Sequence, residues 1–356
     1  MSHQHWIAKE KIRDTKWERS DAPLGDNQVR LSLDAFALTA NNVTYAAFGD
    51  APLFYWNFFP AEDGAWGRVP VWGFATVTES NLAEISPGRR VYGYFPISET
   101  LDVTPVRLSD YGFTDGAEHR QAMAPIYNAY AFTDKDPSYI EEYEAEQMLF
   151  RPLYMTGWMI CDSLCEGAPA TTTAILSSAS SKTALATAHA LQARGRDVIG
   201  VTSEGNRGYV EASGLYTKTI TYDELAKLSG LNDAAYVDFN GNLQLRDGIH
   251  QALGDGLKRS LIIGVTDWEA DKTPVKDMPG PEPEFFFAPG YVQERAKTLP
   301  KGELQRMMLK DILAFYPISR KFVTPDTVTG MAAVDQAWHD TVEGKVAPDR
   351  GLICKL

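Results

Sequence analysis

The spacing of hydrophobic and polar positions changes its rhythm about midway along the chain. Over residues 28–37 it alternates, with Val29, Leu31, Leu33 and Ala35 on one face and Arg30, Ser32 and Asp34 on the other. A period of two predicts a half-buried strand. Residues 69–79 and 89–94 are further strand candidates, with Pro87-Gly88 as the turn between them. Residues 48–67 hold Phe54, Tyr55, Trp56, Phe58, Phe59 and Trp66, which reads as a packed loop and not as a helix. Open, this loop would cap an apolar substrate; packed, it is a folded flap. Residues 141–164 have a helical pattern, broken or kinked near Pro152.

Beyond residue 174 short apolar runs alternate with helical stretches. Residues 174–201 form the clearest unit, with apolar runs at 174–176 and 198–201, small polar residues at 177–183 and a helical pattern at 184–193. Gly195 stands where that helix should stop. This is the size and order of one βαβ unit. A helix over 207–213, a strand over 217–221, a strand over 236–239, a helix over 249–254 and a strand over 260–265 continue the alternation. It predicts an open parallel sheet with helices on both faces. Residues 273–289 are proline-rich and predict a loop. Residues 303–315 place Leu304, Met307, Met308, Ile312 and Phe315 at helical spacing. Phe322-Val323 is a strand candidate, 332–343 a helix and 351–356 a last strand.

The turn inside 174–201 carries the candidate chemistry. A dinucleotide-binding turn usually reads G-x-G-x-x-G, so that the backbone can turn tightly beside a phosphate. Here Ser178, Ser181 and Ala184 stand in those places. A serine at the first position must meet the steric cost of positive φ. Hydroxyls of Ser178, Ser180 and Ser181 offset the loss if they bond phosphate directly, with Lys182 and Thr183 at the helix start adding charge and a donor. A plain helix N-cap is the alternative. Lys182-Thr183 also suggests a Walker loop, but that motif requires glycine where Leu176 and Ser181 stand.

Length and charge narrow the classes. The 356 residues suggest two domains. A net charge of −13 argues against nucleic acid and anionic membrane surfaces as partners. Three cysteines without framework spacing fit a reducing, cytoplasmic setting. Cys161 and Cys165 are four apart on a helical stretch and read as packing residues, and the six histidines are scattered, so no metal site is expected. The N-terminal stretch has no apolar core of a signal peptide, and no apolar run approaches 18 residues.

Several stretches resemble a known family. Val91-Tyr92-Gly93 after Pro87-Gly88, PVWGFATV at 70–77, the unit at 174–201, TITY at 219–222, and 333–345 followed by 351–356 are similar in order and spacing to motifs of the medium-chain dehydrogenase/reductases, above all the zinc-free quinone oxidoreductase branch. ALTANNVTYAAFGD, YWNFFP, WGRVPVWGFA and VYGYFP resemble a bacterial family of unknown function within that superfamily. The resemblance implies an α/β protein with a GroES-like β-rich domain (1–145 with 317–356) and a Rossmann-type doubly wound domain (146–316). It implies a homodimer and NADP(H) as cofactor, with Tyr222 of TITY near it. The strand end at 198–201 is followed by Thr202 and no acid, so the ribose 2′-OH of NAD lacks its usual acceptor. Ser203, Asn206 and Arg207 offer donors for a 2′-phosphate, provided Glu204 points to solvent.

The resemblance also lines the active cleft with a loop at 39–45, where Asn42 would donate to a substrate oxygen and Tyr45 a proton. Tyr127, beside Asn128 and Tyr130, is a second polar-aromatic candidate. His119-Arg120 reads either as an anion clamp or as a solvated loop pair. Phe285-Phe286-Phe287 is expected in a loop near the nicotinamide or at a subunit interface. The expected activity is hydride delivery to an activated C=C or C=O of an apolar carbonyl compound or enone. The alternative is a catalytically silent NADP(H)-binding or scaffold protein of the same fold.

Overall fold

The computed structural model describes residues 2–51, 53–167, 169–264 and 278–356. The chain divides into two compact units, Met1–Leu149 with Pro325–Leu356, and Phe150–Thr324. Each has its own core.

The first unit is built on antiparallel strands. The alternating stretch of the sequence is the strand Val29–Leu38. One edge of it pairs with Pro70–Ser80, and the other pairs first with Thr100–Val103 and then with Arg350–Lys355. Pro70–Ser80 pairs in turn with Arg90–Pro96, which is followed across the sheet by Ala129–Phe132. Gly73 permits the close pairing, because a Cβ there would lie 2.4 Å from the carbonyl oxygen of Ala35. A bulge between Leu33 and Ala35 interrupts the alternation. Asp34, inside it, accepts from Thr76 and Arg90.

Residues 40–47 depart from the expected loop. Ala40–Ala47 is a helix. Thr39 is extended, and the Asn42 side chain reaches back to accept from the Thr39 backbone N–H at 2.8 Å. This local bond closes the helix start, which reading the stretch as a loop had not allowed for. The aromatic stretch that follows is packed, with Trp56, Phe58 and Phe59 each 2% exposed.

The second unit is a parallel sheet. Its strands are β1 (Thr173–Leu176), β2 (Asp197–Thr202), β3 (Lys218–Thr221), β4 (Ala234–Asp238), β5 (Leu257–Ile262) and β6 (Glu284–Phe285). They lie in the order β3-β2-β1-β4-β5-β6, all parallel. The direction of strand addition reverses between β1 and β4, the place where doubly wound sheets open a crevice for ligands. Helix α1 (Lys182–Gln192) follows β1, α2 (Arg207–Ala212) follows β2, and α3 (Leu243–Leu253) joins β4 to β5. Ile175, Ile199, Val201, Ile220, Tyr236 and Ile249 form one buried cluster of this sheet. The fold is therefore α/β, a GroES-like β-rich unit and a Rossmann-type unit.

The helix Glu144–Glu166 runs through Pro152 without a break. Three other expectations change. The helix before β5 begins at Leu243 rather than near 249, because Asn242 caps it by accepting from the Leu245 N–H. Phe322-Val323 is not a strand; the strand is Thr324–Thr329. Phe285 lies in edge strand β6, paired with Ile262, and not in a loop. Val265 and residues 273–277, expected as a strand end and the start of a proline-rich loop, lie outside the described residues.

Candidate functional site

The serine turn sits where β1 ends at the switch point. Ser178 has φ +46°. A serine therefore occupies the left-handed region that the first fingerprint glycine would fill. Two segments hold the turn in place. The Ala179 N–H donates to Val201 O of β2 at 3.1 Å, and the Tyr216 hydroxyl donates to Ala179 O at 2.7 Å. Gly200 makes the close approach possible, since a Cβ there would come within 2.9 Å of both Ala179 Cβ and the Tyr216 ring. The small residue that tight packing requires has thus moved from the turn to the neighbouring strand.

Two asparagines flank the turn. Asn240 Nδ2 donates to Ser178 Oγ at 3.1 Å, and Asn206 Nδ2 donates to Ser180 Oγ at 3.1 Å. Asn240 is held by a buried network. Ser177 Oγ accepts from the N–H groups of Phe239 and Asn240 and donates to Asp238 Oδ1. Arg246 grips Asp238 Oδ2 through Nε at 2.9 Å and Nη2 at 2.7 Å. Both ion-pair partners are buried, at 7% and 0% exposure. Ser181 is the N-cap of α1, its Oγ accepting from the Ala184 N–H at 3.3 Å. Lys182 and Thr183 open that helix, and their backbone N–H groups belong to its positive end.

The structure brings Ser178, Ser180, Ser181, Lys182, Thr183 and Asn206 to one strand tip. Ser203 follows β2, and its carbonyl oxygen accepts from the Asn206 N–H. Arg207 carries a correction. Glu204 does not leave it free, for Arg207 Nε donates to Glu204 at 3.1 Å and Arg207 Nη2 to Glu224 at 2.7 Å. Glu224 also accepts from Lys227 and from the Thr221 N–H, which holds its carboxyl down at about 2. Tyr222 packs against the buried cluster of Ile199, Val201 and Ile220. Sequence reading missed Asn240 and Gly200. The Asn-Gly-Asn at 240–242 after a strand was the available signal for the first. Among the described residues Thr202 Oγ1, at the end of β2, is buried with no hydrogen-bond partner.

In the first unit Tyr45 and Tyr127 meet in one aromatic cluster with Phe58, Phe59, Tyr94, Tyr55 and Trp72. Ring centroids lie 4.3 Å apart for Tyr45 and Tyr55, and 5.1 Å for Tyr94 and Tyr127. The Tyr45 hydroxyl accepts from Asn41 Nδ2 at 2.6 Å. Among the described residues Tyr94 Oη and Trp72 Nε1 are buried with no partner in full hydrogen-bond geometry, and both face the Tyr45 hydroxyl. Burial pushes the Tyr45, Tyr55, Tyr94 and Tyr127 phenols above their ordinary value. Such hydroxyls stay protonated at neutral pH and serve as donors. Asn42 does not offer the donor expected of it. Its Nδ2 donates to Pro70 O at 2.8 Å, its Oδ1 closes the helix start, and it is 3% exposed.

Arg120 is neither an anion clamp nor a solvated residue, whereas its neighbour His119 is exposed. Arg120 is 1% exposed. It donates to Asp115, Asn128, the Tyr130 hydroxyl and the Tyr127 carbonyl. His119 meets Phe58 O at 3.2 Å, and partial burial lowers its pKa. Among the described residues no group of three or more His, Cys, Asp or Glu is placed to hold a metal ion, and no helix is long and apolar enough to cross a membrane.

A family model described as protein of unknown function DUF2855 matches residues 36–347. The chain belongs to the DUF2855 family. No curated protein matches it by sequence. Among solved structures, this DUF2855 protein is similar to CurA in complex with NADPH from Vibrio vulnificus, with 14% identity, coverage of 99% of this chain and 98% of that one, and a TM-score of 0.64. It is similar to the yhdH oxidoreductase from Salmonella enterica in complex with NADP, at 13% identity, 100% coverage of both chains and a TM-score of 0.57. A mutant form of enoyl thioester reductase from Candida tropicalis matches at 12% identity, over 100% of this chain and 99% of that one, with a TM-score of 0.58. The fold of DUF2855 is that of the medium-chain dehydrogenase/reductases, as the sequence motifs imply.

Proposed function

We propose that this DUF2855 protein is a zinc-free NADPH-dependent oxidoreductase acting on an activated C=C or C=O of an apolar carbonyl compound. The observation that carries the reading is Ser178, held at positive φ on the tip of β1 at the switch point of the sheet. A serine keeps that conformation at a cost of roughly 1–2 kcal/mol only when the surroundings enforce it, and strain of this kind gathers at ligand sites. The NADPH and NADP named for the CurA and yhdH structures support the choice of cofactor.

Ser178, Ser180, Ser181 and the backbone N–H groups opening α1 hold the pyrophosphate, with Lys182 contributing charge. Asn206 and Asn240 would release the serine hydroxyls to it. Ser203, Asn206 and Arg207 receive the 2′-phosphate. Glu204, three-quarters exposed, gives up its partner at little cost, since an exposed i,i+3 pair is weak. When bound, the nicotinamide supplies a hydride. The tyrosine cluster receives the apolar substrate, and Tyr45, kept protonated by burial, donates to its oxygen or α-carbon, with Tyr127 beside it.

Dissociation constants for NADPH and NADH test the cofactor assignment. The parent prefers NADPH, and Arg207→Ala loses most of that preference, roughly one to two decades for a charged hydrogen bond. Equal binding of both nucleotides by the parent sinks it. A panel of enones and aldehydes then separates turnover from silent binding, for tight NADPH binding without oxidation across the panel favours the silent protein.

A further inference from the structure

The last two turns of the helix Glu144–Glu166 hold a thiol pair that the proposed reaction does not use. Cys161 and Cys165 are four residues apart and share one face of the helix. Their sulfurs lie 4.0 Å apart. Cys161 is fully buried, whereas Cys165 is partly exposed. Arg196 Nε donates to Cys165 Sγ at 3.4 Å, and the same guanidinium is anchored by donating to Thr171 O at 2.6 Å.

We propose that Cys165 is a peroxide-reactive cysteine and Cys161 its resolving partner, so that a hydroperoxide closes a disulfide within this helix.

Electrostatics around the pair favour Cys165 as the nucleophile. The sulfur–sulfur contact with Cys161 and the guanidiniums of Arg196 and Arg194 bring the Cys165 thiol below its ordinary value, against its partial burial. The same contact and its deeper burial move Cys161 the opposite way. The helix C-terminus disfavours an anion there. The arginines outweigh it, and the nearby Asp162 carboxylate is already taken up by Arg194, Arg295 and the Tyr291 hydroxyl.

The chemistry balances with one equivalent of oxidant. The Cys165 thiolate attacks a peroxide oxygen. The S–O bond forms, the O–O bond breaks, and the departing hydroxide or alkoxide takes a proton from water. Sulfur is oxidised by two electrons to the sulfenic acid, and the peroxide is reduced. Cys161 then attacks the Cys165 sulfur, the S–S bond forms and the S–O bond breaks, and the departing hydroxide leaves as water with the Cys161 proton. Bonding requires the sulfurs to close from 4.0 Å to about 2.05 Å. The pair lies at a helix end, where a turn loosens at small cost. Cys354 supplies an internal control, since it is fully buried with its thiol pushed up to about 12.

The test treats the full chain with hydrogen peroxide, blocks free thiols with an alkylating reagent and maps peptides by mass spectrometry. The expected product is a Cys161–Cys165 disulfide that dithiothreitol reverses, with Cys354 alkylated. Cys161→Ala stops at a sulfenic acid that dimedone traps on Cys165, and Cys165→Ala gives neither product. Arg196→Gln slows oxidation of Cys165 by roughly tenfold. Three free thiols after peroxide, a dimedone adduct on Cys161, or a disulfide through Cys354 would each overturn the proposal. The parent map is decisive even if a variant fails to fold.

Discussion

The serine turn and the tyrosine cluster satisfy their polar groups in opposite ways. At the turn, Ser178 and Ser180 are met by Asn240 and Asn206 through bonds of 3.1 Å between neutral groups. Such bonds are each worth about 1 kcal/mol net and exchange readily for a charged ligand oxygen. Beneath them, the Asp238–Arg246 pair and Ser177 form a rigid base. In the cluster, Tyr94 Oη and Trp72 Nε1 are buried and face the Tyr45 hydroxyl, which accepts from Asn41 Nδ2. Burial fixes the protonation of these phenols. The difference separates two tasks. A turn that binds must exchange partners on a firm base, while a group that donates must be held protonated.

The largest expected effect tests the donor side of this contrast. Tyr45→Phe keeps the ring packing and removes only the hydroxyl. Turnover on a responsive enone falls by roughly 10²–10⁴, with NADPH affinity little changed. Unchanged turnover removes Tyr45 from the mechanism. Next comes the base of the turn. Arg246→Ala leaves the Asp238 carboxylate buried and unpaired, and costs about 3–5 kcal/mol in urea denaturation. A loss below about 1 kcal/mol would show that the pair does not brace the turn.

Gly200→Val probes the packing between strand and turn. The added atoms meet Ala179 and Tyr216, so a loss of about 1–3 kcal/mol is expected together with weaker NADPH binding. An unaffected Kd would mean that the turn need not sit close to β2. The smallest effect is Ser178→Gly. Relief of the left-handed strain is offset by the lost bond to Asn240 and by greater chain entropy, so stability changes by less than about 1 kcal/mol. Calorimetry with and without NADPH reads both quantities. If this variant lost nucleotide binding altogether, the Ser178 hydroxyl would be a direct ligand and more than a turn residue.

Much of the second unit was legible because its signals are local. The βαβ rhythm of 174–201 follows from apolar runs and a helical pattern within one stretch, and a missing glycine at position 178 already implied a serine under strain. The motif order that resembled the medium-chain dehydrogenase/reductases is likewise a property of the linear chain. The capping bond of Asn42 was local too. A loop reading hides it, because it has the side chains facing a substrate, while the asparagine closes a helix.

The sequence alone therefore determined the alternation of elements, the serine turn and the absence of an acid after β2. Tertiary structure decided what each polar residue meets. Arg120 is buried because Asp115, Asn128 and Tyr130 reach it from separate segments, and nothing in His119-Arg120 announces those partners. Tyr45, Tyr94 and Tyr127 share a cluster only because strand pairing brings together positions more than thirty residues apart. Asn240 reaches Ser178 across 62 positions because β4 lies beside β1. A residue's propensity is written in its neighbours along the chain. Its desolvation, its charge partner and the room for its Cβ are set by neighbours in space, which the strand order fixes.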